Sequence, residues 1–111
     1  PRLEDSVGVQ KGMFGIVNGY TGRNYRAMNN VIIAHELLHT LGASDKYDPA
    51  TGLPAFPDGI AEPDLSPLYP QRYAEIMGGR IALAEDDSVI PGSLSYAIIG
   101  PATAREINLI D

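Results

Sequence analysis

The pattern of apolar and polar positions predicts one clear helix near the middle of the chain. Residues 31–41 run without proline or glycine, and Asn29 and Asn30 just before them are favourable N-cap residues. Gly42 follows, and glycine readily adopts the left-handed conformation that ends many helices. The pattern therefore predicts a helix that begins after Asn30 and ends at Gly42.

This helix has two distinct faces. At about 100° per residue, four apolar side chains share one side, which we expect to face the core: Ala34, Leu37, Leu38 and Leu41. Val31 lies near the edge of this side. Three polar side chains, His35, Glu36 and His39, occupy the adjoining side. The helix therefore has a core face and a separate face that carries its reactive groups.

The segment before this helix shows weaker signals. Residues 1–12 are polar and contain glycine, which predicts irregular structure. Residues 13–18 form a short apolar run that stops at Gly19, and such a run predicts a strand. Gly22 and Asn24 indicate a connecting loop. We therefore expect the central helix to follow a short strand.

Beyond the helix, the sequence favours loops. Residues 48–70 hold most of the nine prolines, together with apolar side chains that can fasten a long ordered loop to the core. Residues 71–76 predict a short helical turn, which leads into Met77-Gly78-Gly79. The C-terminal part is therefore expected to be rich in loops.

Two further elements are predicted near the C-terminal end. Residues 95–99 have the composition of a strand. Thr103 with Glu106 three residues later resembles a capping box, which predicts a last helix over residues 104–110.

Composition narrows the class of protein. The 111 residues are 44% hydrophobic and 20% charged, which fits one globular domain. The formal net charge is −6, and the 8 basic side chains form no basic run, so we expect neither nucleic-acid binding nor docking on an anionic membrane. There is no cysteine, so any metal must be held by nitrogen and oxygen ligands.

The run His35-Glu36-Leu37-Leu38-His39 fits the H-E-x-x-H pattern. Residues four apart on a helix lie one turn above each other, so both imidazoles can reach one zinc ion. Glu36 is rotated by about 100° from His35, which places it beside a metal-bound water as a general base. The alternative is a surface helix with an accidental pair, which is disfavoured because His35 and His39 are the only histidines.

The pattern continues as H-E-x-x-H-x-x-G-x-x-D, in which the turn at Gly42 would bring Asp45 back toward the metal. The whole string resembles the metzincin zinc peptidases, with aspartate where most members carry a third histidine. Residues 45–47, Asp-Lys-Tyr, are similar to the D-x-Y ending of snapalysin-type and immune-inhibitor-type bacterial metallopeptidases. The resemblance implies that Asp45 is the third zinc ligand. Glu62 and Glu75 are its rivals, since a gluzincin takes a glutamate from later in the chain.

The resemblance extends, more weakly, to a methionine turn. Residues 75–79, Glu-Ile-Met-Gly-Gly, are similar to that turn, and Met77 would form an apolar floor beneath the imidazoles. Some metzincins carry a zinc-binding tyrosine where this chain has Gly79, so no tyrosine ligand is expected here. The resemblance covers residues 31–79 and implies an α+β, metzincin-like catalytic domain over residues 1–111. Since only about 30 residues precede the zinc helix, we expect an N-terminally truncated domain whose upstream sheet is largely missing.

Several other polar residues have two possible roles. Tyr47 would either donate to an oxyanion or pack against the loop. Four loop carboxylates would either form a calcium site or, as we expect, stay solvated: Asp48, Asp58, Glu62 and Asp64. Arg80 is expected to pair with a carboxylate rather than bind substrate.

By resemblance, the chain is expected to be a zinc-dependent endopeptidase acting on peptide or protein substrates. The location of the protein is not readable from the sequence, and the resemblance alone leans toward a secreted or extracytoplasmic one. Two alternatives stay open: a zinc-stabilised domain without turnover, and a metal hydrolase that acts on something other than peptides.

Overall fold

The computed structural model describes residues 3–21 and 27–108. In chain order, the described elements are α1 (Leu3–Thr21), α2 (Ala27–Thr40), β1 (Ala74–Glu75), β2 (Ile81–Ala84), β3 (Asp87–Val89), a 3-10 turn (Leu94–Tyr96), β4 (Ala97–Ile98) and α3 (Pro101–Glu106). This confirms the α+β class. None of the helices in this part of the chain combines the length and apolar character needed to cross a membrane.

The first two helices pack against each other. Phe14 and Val17 of α1 lie three residues apart, on one face, and join the core cluster that contains Ala34 and Leu38 of α2. That cluster is completed by Val31, Ala43, Ile76, Met77, Leu94 and Ala97. The core therefore lies between the helices and the segment that carries β1.

Helix α1 corrects two predictions. Residues 3–12 are helical rather than irregular, and residues 13–18 are helical rather than a strand, so α2 does not follow a short strand. A six-residue apolar run is compatible with either structure, and here burial of Phe14 and Val17 against α2 selects the helix. The loop predicted at residues 22 and 24 lies outside the described residues.

Helix α2 has the predicted position, but its buried face is rotated. Val31, Ala34 and Leu38 are buried as predicted, whereas Leu37 and Leu41 are 38% and 49% exposed. The helix ends at Thr40, so Leu41 has left the helical geometry. The expected core positions of Leu37 and Leu41 are therefore wrong, because the packed side of α2 is turned toward its histidines.

The strands form two small sheets. β1 pairs with β4 in parallel, with Ala74 opposite Ala97, and β2 pairs with β3 in an antiparallel hairpin. The helical turn predicted over residues 71–76 is wrong, since residues 74 and 75 form β1. The strand predicted over residues 95–99 is shorter than expected and follows the 3-10 turn. Both predictions differ from the structure because β1 and β4 pair with each other, and pairing between distant segments does not show in the local sequence.

The last helix also differs from its prediction. It begins after Gly100 with proline in its first turn and ends at Glu106, not at residue 110. Thr103 lies inside the helix and is buried, so the predicted capping box of Thr103 and Glu106 is wrong. The Glu106 carboxylate makes contacts far along the chain instead, as described below.

The proline-rich segment between α2 and β1 is a loop, as predicted, and it packs closely on the segment that follows β1. A Cβ atom on Gly59 would lie 2.0 Å from the carbonyl oxygen of Lys46. One on Gly78 would lie 2.1 Å from the carbonyl oxygen of Gly59. Three stretches of backbone therefore stack at a separation that admits only glycine at these two positions.

Candidate metal centre

The end of α2 turns the chain back toward its own histidines. Gly42 has φ of 108°, and its N–H donates to the carbonyl oxygen of His39 at 3.1 Å. The N–H of Ala43 donates to the carbonyl oxygen of Leu38 at 3.0 Å. These two bonds form a Schellman motif, and they confirm the predicted role of Gly42 in ending the helix. The residues after Ala43 then run alongside the site face of α2.

The structure brings together the three predicted ligands. The Oδ1 atom of Asp45 lies 2.9 Å from Nε2 of His35 and 2.8 Å from Nε2 of His39. The two Nε2 atoms are 3.1 Å apart. Within the described residues, this is the group of three acidic or imidazole side chains whose ligand atoms converge closely enough to hold a metal ion.

Backbone hydrogen bonds fix which nitrogen of each imidazole faces the others. Nδ1 of His35 lies 2.9 Å from the carbonyl oxygen of Ile76, and Nδ1 of His39 lies 2.8 Å from that of Ala43. A carbonyl oxygen only accepts, so each Nδ1 carries the hydrogen. In the neutral rings, each Nε2 therefore presents a lone pair, and both lone pairs point at the Asp45 carboxylate. Two lone pairs and a carboxylate oxygen so arranged form the ligand set of a cation.

This ligand set fits zinc. Two imidazole nitrogens and one carboxylate oxygen are common zinc ligands, and a fourth position is left for water. Zinc bonds of about 2.0–2.1 Å in a tetrahedral site separate the ligand atoms by about 3.3 Å. The observed separations are 2.8–3.1 Å, so a small outward movement of the side chains is enough to admit the ion.

Protons compete for the same position. The pKa of His39 is raised, chiefly because the hydrogen bond to the Ala43 carbonyl stabilises the charged ring; burial acts against this, and the nearby Asp45 carboxylate adds to it. A metal must displace any such proton from Nε2, so metal affinity is expected to fall as the pH falls.

Contacts on both sides of Asp45 hold it in place. The N–H of Ser44 donates to Oε1 of Glu106 at 3.1 Å, and the Ser44 hydroxyl donates to Oε2 at 2.5 Å. Lys46 forms an ion pair with the same carboxylate, and its N–H donates to the carbonyl oxygen of Met77 at 2.9 Å. The segment that carries Asp45 is thus fastened to α3 on one side and to the turn after β1 on the other.

The Glu106 carboxylate is strongly stabilised in its charged form. Partial burial acts to raise its pKa, but hydrogen bonds from Lys46 and Ser44 outweigh this and lower the pKa to about 2. Sequence reasoning missed this role of Glu106. The two partners are 60 residues apart in the chain, and no local pattern could have paired them.

The predicted methionine turn is organised by a buried carboxylate. Glu75 is fully buried, and its side chain accepts hydrogen bonds from the N–H groups of Met77 at 2.7 Å and Gly100 at 2.7 Å. Burial raises the pKa of Glu75, against the opposing effect of these bonds. Met77 is fully buried in the core cluster, and the carbonyl oxygen of the preceding residue, Ile76, is the one that accepts from His35. Glu75 is therefore engaged with backbone amides and lies outside the ligand group.

The other predicted residues lie elsewhere. Glu36 is exposed on α2, one residue beyond His35. Glu62, the second rival ligand, instead pairs with Arg72, whose hydrogen bonds lower the pKa of the carboxyl. The Asp48 carboxylate accepts from a backbone N–H two residues on, as in an Asx turn. The structure therefore does not bring Glu36, Glu62 or Asp48 into the ligand group.

A groove of about 330 Å³ opens beside the candidate metal centre. It is lined by His35, Tyr47 and Arg80, by the glycines Gly52, Gly78 and Gly79, and by the apolar side chains Val31, Ile32, Ile76 and Ile90. One of the three ligands thus forms part of a mostly apolar wall, so a molecule bound in the groove would lie next to the metal centre.

Comparison with protein-family models, curated proteins and solved structures gives no significant match to this chain. The resemblance to metzincins therefore stays a prediction from residues 31–79. The chemistry open to the site follows from its own groups. These are the three converging ligand atoms, the exposed carboxylate of Glu36 next to His35, and the adjoining groove.

Proposed function

We propose that this protein is a zinc-dependent endopeptidase. The observation that supports this most is the convergence of His35, His39 and Asp45, with both imidazole tautomers set by backbone carbonyls. Zinc bound to these atoms would polarise the scissile carbonyl and lower the pKa of a bound water toward about 7.

The chain's own residues would carry the remaining steps. Glu36 follows a ligand on α2 and is exposed, and its charge adds to the raised pKa of His39, so its carboxylate would be the group that accepts a proton from a water at the site. The same group would then pass the proton to the leaving amine. The groove beside His35 would hold the peptide, with Tyr47 in its wall as a candidate donor to the oxyanion.

A zinc-stabilised domain without turnover is the second candidate. It is favoured by the way in which all three ligand segments are tied to the core: His35 to Ile76, His39 to Ala43, and the neighbours of Asp45 to Met77 and Glu106. In such a domain the metal would mainly add to folding stability.

The Glu36→Gln variant separates these two functions. Glutamine has almost the same shape but accepts no proton at neutral pH, so zinc should stay bound while cleavage of a peptide library falls by about 10²- to 10⁴-fold. Glu85→Gln, which makes the same change in an exposed turn, is the matched control and should cleave at the normal rate. Zinc content must be equal in all three proteins.

Two results would overturn the proposal. If Glu36→Gln with full zinc cleaves peptides as fast as the unchanged protein, Glu36 is not the base. If the unchanged protein binds zinc tightly and cleaves nothing in a broad library, the zinc-stabilised domain is the correct function.

A further inference from the structure

The groove beside the metal centre contains a single positive charge among apolar side chains. Arg80 lies in its wall together with Ile76 and Ile90. Ile76 and Arg80 belong to the segment between β1 and β2, and Ile90 follows β3. A Cβ atom added to Gly52 would lie 3.6 Å from Cζ of Arg80. The guanidinium group therefore lies beside Gly52 of the proline-rich loop.

Arg80 is half-buried, and the carboxylate partner expected for it from the sequence is not found among the described residues. The buried Lys46 pairs with Glu106, and the exposed Arg72 pairs with Glu62. The chain carries 14 acidic side chains against 8 basic ones, so carboxylate partners are abundant. A half-buried guanidinium that faces a groove, without a carboxylate from the described chain, has unused donors for a planar anion.

The apolar part of the groove is also incompletely covered. Ile32 is 55% exposed and Ile90 is 48% exposed, and both line the groove. Their exposure leaves apolar surface in the groove that a large apolar side chain of a bound peptide could cover. A bound peptide that matches both the Arg80 guanidinium and this apolar surface would carry a carboxylate next to a large apolar side chain.

We propose that the groove recognises an internal Asp or Glu adjacent to a large apolar residue in the peptide substrate, with Arg80 as the specificity-determining residue. This rests on the proposed peptidase function, because His35 places the groove beside the metal centre. The apolar side chain would lie against Ile32 and Ile90, and the carboxylate would accept hydrogen bonds from the guanidinium group.

The test compares two peptides that differ at one position. Both are blocked at each end and carry a leucine, followed by Glu in one and by Gln in the other. Binding to the zinc-loaded protein is measured by fluorescence anisotropy, with cleavage followed separately. A charge-assisted hydrogen bond typically contributes enough to favour the Glu peptide by about tenfold or more. Arg80→Gln should remove this preference, and Arg80→Lys should keep part of it.

Arg105→Gln is the matched control, because Arg105 is exposed on α3 and lies away from the groove. It should retain the preference for Glu. Equal binding of the two peptides, or a preference that survives in a folded Arg80→Gln protein, would overturn the assignment. Discrimination confined to an unblocked C-terminal carboxylate would show that chain ends are recognised, which also contradicts the proposal.

The outcomes separate this inference from the function on which it rests. Preferential binding of the Glu peptide without cleavage would reject the peptidase and leave the Arg80 subsite in place. Cleavage of both peptides at equal efficiency would reject the subsite and leave the peptidase in place.

Discussion

Glu106 is expected to support both the stability of the fold and the zinc affinity of the candidate metal centre. In Glu106→Gln, the side chain keeps its length and can still accept from the Ser44 N–H, but the charge that faces Lys46 is lost. The Lys46 side chain is only 8% exposed, so its ammonium group would be left buried without a counter-charge.

The size of the effect follows from the exposure of the pair. Removing one partner of a fully buried ion pair costs about 3–5 kcal/mol. Glu106 is 32% exposed and therefore partly screened by water, which reduces the expected loss to about 1–3 kcal/mol. Because folding lowers the pKa of Glu106 from 4.5 to about 2, its contribution is complete above pH 4.5 and is lost as the pH falls toward 2.

The metal centre should weaken as well, since Ser44 and Lys46 flank Asp45. Residues that orient metal ligands typically change affinity by about 10- to 100-fold when they are altered. Urea denaturation of the metal-free protein measures the loss of stability, and competition with a chelator measures the loss of zinc affinity. In the double variant Glu106→Gln/Lys46→Met, no buried charge is left unpaired, so stability should recover while zinc affinity stays low.

Two outcomes would refute this reasoning. A folded Glu106→Gln protein with unchanged zinc affinity would show that the contacts of Ser44 and Lys46 do not position Asp45. An equal loss of zinc affinity in Glu85→Gln, where an exposed charge in the turn between β2 and β3 is removed, would show that net charge rather than position is responsible.

Three further predictions test the site and its surroundings. Asp45→Ala should weaken zinc binding far more than Glu62→Ala in a chelator competition, and equal losses would move the third ligand to Glu62. Gly78→Ala should lower the free energy of unfolding by about 1–3 kcal/mol or more, because its Cβ would lie 2.1 Å from a carbonyl oxygen, whereas Gly92→Ala, with open space around it, should change it little. Met77→Leu should keep zinc bound and cost less than about 1.5 kcal/mol, as expected for a swap of similar volume in a buried position, and loss of zinc there would assign Met77 a more direct role.

The parts of the site that local sequence encodes were predictable. His35 and His39 are one helical turn apart, and Gly42 supplies the positive φ that reverses the chain toward Asp45. Each of these features depends on residues within about ten positions of one another. The long loop over residues 48–70 was predictable for the same reason, since its prolines act locally.

The remaining features depend on contacts between distant segments. Residues 13–18 carry no local preference strong enough to separate a strand from a helix, and their packing against α2 decides it. The exposure of Leu37 depends on which side of α2 is covered by the core cluster, whose members come from several distant segments. The spacing of Thr103 and Glu106 predicted a local capping box, whereas the partners of the Glu106 carboxylate are Ser44 and Lys46, which are distant in sequence.

Two consecutive carbonyl groups serve different ligands of the candidate metal centre. The oxygen of Ile76 accepts from His35, and the oxygen of Met77 accepts from the N–H of Lys46, next to Asp45. A local opening of this one turn would break both hydrogen bonds together, so the support of two ligands would be lost in one step while His39 stays bonded to Ala43. If ion binding and the closed turn stabilise each other, the Lys46 amide hydrogen should exchange with solvent more slowly when zinc is bound.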